Sequence, residues 1–89
     1  MPLFMIERSY AEQLEVTPEA ASLVKEINAE ENVRWLYSFL SADRRKTYCI
    51  YESADPRALR AAALRAGLPA DVIIELAARL EPSGELTPI

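Results

Sequence analysis

The sequence predicts an α+β domain with the element order β-α-β-β-α-β. Its four strands should form an antiparallel sheet in the order 4-1-3-2, with both helices on one face. Three observations carry this expectation. Val33–Tyr51, VRWLYSFLSADRRKTYCIY, alternates as two strands about a short polar turn. Two helical stretches each open with a capping residue and a proline, Thr17-Pro18 and Asp55-Pro56. Each half of the chain joins one such helix to two strand-like runs. The chain has 89 residues, enough for one domain, expected over 1–76 with 77–89 as a C-terminal tail.

Pro2–Arg8 (PLFMIER) is the first strand. Leu3, Met5 and Glu7 share one side of it, and Phe4, Ile6 and Arg8 the other. Apolar residues on both sides suit a central position in the sheet. Ser9–Val16 is then a loop. Thr17-Pro18-Glu19 starts a helix, because Thr accepts from open backbone N–H groups and Glu complements the positive helix end. Ala20, Leu23, Val24 and Ile27 form its apolar stripe, and Asn32 is placed to end it.

Val33–Leu40 is the second strand, with Val33, Trp35, Tyr37 and Phe39 on one side. Ser41–Arg45 turns the chain, and Asp43 suits that turn. Lys46–Glu52 is the third strand, with Thr47, Cys49 and Tyr51 on one side and Lys46, Tyr48, Ile50 and Glu52 on the other. So short a connection makes these two strands antiparallel neighbours. Arg57–Ala66 is an Ala-rich helix whose stripe is Leu59, Ala62, Ala63 and Ala66. Gly67 stops it, Leu68–Asp71 turns, and Val72–Leu76 is the fourth strand. Helices on one side leave the other sheet face apolar and uncovered. A homodimer closed through that face is therefore expected, since a small domain buries little surface alone.

Composition narrows the function. The net charge is −4, which opposes a nucleic-acid partner because phosphate binding concentrates Lys and Arg. The basic spots Arg44–Lys46 and Arg57, Arg60 and Arg65 read as solvated turn and helix faces. No apolar run reaches the roughly 20 residues of a membrane helix. A single Cys and no recognisable secretion signal point to the cytoplasm. The chain has no His, so it lacks both the commonest general base and the commonest transition-metal ligand.

Four motifs stand in register: Met1-Pro2-x-Phe4-Met5-x-Glu7-Arg8, Val33-Arg34-Trp35, Lys46-Thr47-Tyr48-Cys49-x-Tyr51-Glu52 and Gly67-Leu68-Pro69-Ala70-Asp71. In this order and spacing the chain resembles a small bacterial family of ferredoxin-like fold whose members resemble a nickel-binding, nickel-responsive protein. The resemblance covers Pro2 to about Leu76. It implies a ferredoxin-like subunit, a dimeric α/β-barrel type of assembly, and nickel as the candidate cofactor. Many relatives carry histidines, often in the second helix. Arg57–Ala66 carries none here, which puts a His-ligated nickel site out of reach.

Two sets of candidate residues follow. Cys49, Glu7 and Glu52 are the metal donors the chain offers, since thiolate binds borderline metals well. Glu7, Arg34, Tyr48, Tyr51 and Glu52 are candidates for a small polar ligand at the mouth of a barrel, with Arg8 and Arg34 able to pair with the carboxylates. Strand alternation splits these sets. Cys49 and Tyr51 lie with Thr47, away from Tyr48 and Glu52, so one pocket takes them all only if the strand bulges. The structural readings of the same residues are a buried thiol and ion pairs at strand ends. The aromatic group Trp35, Tyr37, Phe39, Tyr48 and Tyr51 reads as core and interface packing, with an aromatic wall of a ligand pocket, between sheet and helices or within the barrel, as the alternative. The reading favoured is a small non-enzymatic binding protein for a metal ion or small molecule. The alternatives are a cofactor-free α/β-barrel enzyme, of monooxygenase or isomerase type, and an interaction module without a ligand.

Overall fold

Strand β1 (Leu3–Ser9), helix α1 (Pro18–Glu30), strands β2 (Arg34–Leu40) and β3 (Lys46–Glu52), helix α2 (Pro56–Ala66) and strand β4 (Val72–Leu76) follow one another in the expected order. They come from a computed structural model that describes the whole chain, Met1–Ile89. The four strands form one antiparallel sheet ordered β2-β3-β1-β4. This is the predicted 4-1-3-2 read from the opposite edge. Both helices cover one face, and the core lies between them and the sheet. Phe4 and Ile6 of β1, Cys49 and Tyr51 of β3, Ile27 of α1 and Leu59 and Ala62 of α2 meet there.

The helix ends form for local reasons. Thr17 Oγ1 accepts from the Ala20 N–H at 3.1 Å. Asp55 Oδ1 accepts from the N–H groups of Arg57 and Ala58 at 2.8 and 3.1 Å. Each satisfies donors the first helical turn would leave open. At the far end of α2, Gly67 takes φ 67°, and the Leu68 N–H reaches the Ala63 carbonyl at 2.9 Å. That left-handed closure suits Gly. The small residues Ala62 and Ala63 are buried as expected, and Ala62 joins the core.

Three features differ from expectation. The buried edge of α1 is Val24, Ile27 and Asn28, and Leu23 is 58 % exposed. An apolar stripe leaves the rotation of a helix open by about one position, and packing against α2 and Val33 selects this edge. Strand β2 carries a bulge between Trp35 and Tyr37, so Trp35 stands opposite Tyr51 while Tyr37 stands opposite Ile50. Two residues there oppose one, which reverses the alternation. Trp35, Ser38 and Leu40 therefore face the helices, and Tyr37 and Phe39 face the other way. Lastly, the expected tail folds. Strands β5 (Ala78–Leu80) and β6 (Leu86–Pro88) pair as a separate antiparallel hairpin, whose turn uses Gly84 at φ 88°.

The sheet face away from the helices is uncovered. Leu3, Met5, Tyr48 and Ile50 are half-buried there, and Tyr37, Phe39 and Ile74 are 55 %, 61 % and 46 % exposed.

Candidate functional site

A cleft of about 300 Å³ opens on the helix side of the sheet. Its floor is the sheet itself, through Arg8 of β1, Thr47, Cys49 and Tyr51 of β3 and Trp35, Ser38 and Leu40 of β2. One wall is α1, through Ala20, Ala21 and Val24, and the other is the loop 10–16. Small residues on the first turns of α1 leave this space, since Ala20 and Ala21 reach less far toward the sheet than the larger Val24 and Ile27 farther along.

The loop is held in place by the β2–β3 turn. The Tyr10 and Leu14 N–H groups donate to the Arg45 and Arg44 carbonyls at 2.8 and 2.7 Å. In return the Arg44 and Arg45 guanidinium groups donate to the Leu14 and Ala11 carbonyls at 3.0 and 3.1 Å. The turn is itself braced by Asp43, which accepts from the Ser41 hydroxyl at 2.7 Å and the Arg45 N–H at 3.0 Å. These bonds hold the Asp43 carboxyl below the usual aspartate range, the Ser41 hydroxyl first among them. Arg44 and Arg45 are thus partly spent on carbonyls. Arg65 is paired with Glu30 and Glu31 at 2.5 and 3.1 Å. Arg57 and Arg60 are exposed on α2, so the basic spots of the sequence are bracing contacts and solvated faces.

The polar groups of the cleft converge on its floor. Arg8 is 3 % exposed. Its Nη1 donates to the Pro69 carbonyl at 2.5 Å, and its Nη2 lies 3.5 Å from the Tyr51 hydroxyl. The guanidinium sits over the Tyr51 ring, 5.9 Å from its centroid. Its side chain reaches no carboxylate, whereas Arg57, Arg65, Arg79 and Lys46 each have one within 4.0 Å. Tyr10 Oη and Thr47 Oγ1 are 3.0 Å apart, and the Cys49 thiol lies 3.5 Å from the same Thr47 oxygen. The Trp35 indole N–H donates to Ser38 Oγ at 2.8 Å. Burial pushes the Tyr51 phenol above the ordinary tyrosine range, and the nearby Arg8 charge offsets this only in part.

Comparison with known proteins places the family and the fold. The family model described as nickel responsive protein SCO4226-like matches residues 4–76. The chain belongs to the SCO4226-like family. The crystal structure of SCO4226 from Streptomyces coelicolor A3(2) is 23% identical, with a TM-score of 0.70 over 83% of this chain and 94% of that one. At that identity the likeness shows the fold. Among curated proteins none matches the chain. The β5–β6 hairpin lies beyond the span that the family model covers.

Against the SCO4226-like fold the residues predicted from sequence divide by face. Cys49 and Tyr51 belong to the cleft. Glu7, Tyr48 and Glu52 stand on the uncovered face, in the half-buried phase of β1 and β3, with Arg34 opposite Glu52. The bulge that could have reunited them falls in β2 rather than β3, so they do not form one site. Nor do Glu7 and Glu52 meet, since Glu7 is opposite Tyr48 and Glu52 opposite Leu3. Four strand positions separate them, about 13 Å at the usual rise. Glu7 lies instead 4.0 Å from Lys46. With Cys49 across the sheet, no three His, Cys, Asp or Glu side chains converge. The donors of one copy of this chain therefore do not fit a nickel centre.

The expectation that Arg8 pairs with the strand-end carboxylates is also corrected, because strand alternation turns it away from Glu7 and into the core. Sequence reasoning missed Arg8, Ser38 and Thr47 as cleft residues, and carried Trp35 only within an alternative pocket wall. Arg8 was findable: it is an Arg in phase with Phe4 and Ile6 on a buried strand. Ser38 was not, because the bulge that turns it inward has no Gly or Pro to announce it.

Proposed function

We propose that this SCO4226-like protein is a non-enzymatic binding protein that takes a small organic molecule into the cleft between α1 and the sheet. The cleft carries this reading: apolar walls, a fixed loop at the mouth and a few polar groups gathered on the floor are what small-molecule sites are made of. The absence of a ready base supports binding over catalysis. The chain has no imidazole, the Tyr51 proton is held more tightly than usual, and the one carboxylate of the lining, Glu15, is exposed on the loop. A thermal-shift and calorimetric screen of small organic compounds tests it. The expected result is binders that lose their effect in an Ala20→Phe variant, whose added ring fills the cleft from the exposed side of α1. Binders insensitive to that change would count against the cleft.

The working unit we propose is a homodimer closed through the uncovered sheet face, in the cytoplasm. The continuous apolar surface of Leu3, Met5, Tyr37, Phe39, Ile50 and Ile74 supports it, because monomers rarely leave such a face to water. No helix is long and apolar enough to cross a membrane, and the one thiol is buried and free. The family description supports a second reading, a response to nickel. With the donors of one chain apart, such a site would take carboxylates from two chains meeting across the dimer. Titration calorimetry with nickel ion decides: micromolar heats abolished by Glu7→Gln or Glu52→Gln support it, and no heat sinks it.

A further inference from the structure

Arg8 is the one buried charge of the molecule, and no carboxylate answers it. A guanidinium withdrawn from water is strongly disfavoured unless an anion or a full set of acceptors compensates it. The compensation visible here is one carbonyl, one distant phenol and the face of one ring. Phenol and ring both belong to Tyr51, which shares the cleft floor with Arg8. The cleft is otherwise mostly apolar, 11 of its 15 lining residues being hydrophobic. Beside Tyr51 lies the buried Asn28 amide, whose Nδ2 has no hydrogen bond of good geometry. Arg8 thus brings more donors to the cleft floor than the acceptors there answer. The only carboxylate on the lining, Glu15, is exposed on the loop, where water and salt screen it.

We propose that the cleft takes a small organic monoanion, a carboxylate with a compact aromatic or aliphatic body, whose head is bound by Arg8. The anionic head supplies the acceptor that the guanidinium lacks, with the strength of a charge-assisted bond. The body lies among Leu14, Val16, Val24, Trp35 and Leu40. The proposal rests on the binding function above and adds the charge and class of the ligand.

Trp35 is the only tryptophan and lines the cleft, so its emission reports occupancy directly. The test titrates the intact protein with two pairs of probes matched in shape, octanoate against 1-octanol and phenylacetate against 2-phenylethanol. In each pair the acid is expected to bind about tenfold or more tightly than the alcohol. Arg8→Met, which keeps the length and removes the charge, is expected to erase that preference. Arg8→Lys, which keeps a charge without the planar fork, should retain part of it and serves if the Met variant does not fold. Equal affinities for acid and alcohol in the unaltered protein would overturn the anion assignment while leaving the cleft a binding site. So would an acid preference that survives Arg8→Met. If neither acids nor alcohols change Trp35 emission or give heat, the binding function falls as well.

Discussion

Arg8 shows how one residue can be placed by its neighbours against its own solvation. Phe4 and Ile6 set the phase of β1, and at two-residue periodicity Arg8 must follow them inward. Its charge then defines the floor of the cleft. Cys49 arrives by the same logic on β3, between Thr47 and Tyr51, buried at 6 % exposure. As the only thiol of the chain it offers a clean readout. Octanoate in the cleft is expected to slow alkylation of Cys49 by iodoacetamide several-fold, read by intact mass. An unchanged rate would place the ligand elsewhere. On the other side of the core, Leu59 is 1 % exposed. Leu59→Ala should cost about 2–5 kcal/mol, seen as a lower urea midpoint, and for a domain of ordinary stability that is a large share of the total.

Among the elements, the β2–β3 turn has the widest reach. Ser41, Asp43 and Arg45 brace it, and its carbonyls hold the loop that walls the cleft. Asp43 has its carboxyl lowered from the ordinary 3.8 by these hydrogen bonds. A lowered folded-state value means stability present above the ordinary value and lost as pH falls through the folded one. Asp43→Asn should therefore be less stable than the parent at pH 7, with the gap closing as the pH drops below 3.8. Urea midpoints across that range check it; a gap independent of pH would assign the effect to shape alone. The start of α2 gives a simpler expectation. Asp55→Ala removes the acceptor for two N–H groups and should cost about 1 kcal/mol by the same measurement.

Taken as a whole, the molecule has two unequal faces. One is filled by helices except for the cleft, and the other is an open apolar sheet. Ile50 is central on the open side, opposite Met5 and Tyr37. If the homodimer forms there, Ile50→Lys should yield a folded monomer by sedimentation, with the Trp35 emission of the cleft preserved. A dimer that survives the change would move the interface to another surface. The β5–β6 hairpin presents Leu80 and Leu86 to solvent at 69 % and 64 % exposure. Its short ladder pairs only with itself.

By itself the sequence determined the order of the first six elements, the order of the four-stranded sheet and the helix boundaries, though not the β5–β6 hairpin. Those depend on local chemistry: Thr17 and Asp55 as caps, Gly67 as a left-handed stop, and the alternation of β1 and β3. It also separated Cys49 and Tyr51 from Glu7, Tyr48 and Glu52, because a two-residue period assigns faces without any tertiary information. Tertiary structure alone decided the site. The bulge after Trp35 puts Tyr37 and Phe39 on the open face and the Ser38 hydroxyl in the cleft, and nothing in the local residues demands it. The rotation of α1 leaves alanines over the floor, and only packing against α2 sets that rotation. Whether a buried Arg meets a carboxylate depends on side chains far away in sequence. Here the nearest partners came from Tyr51 and Pro69, and neither is an anion.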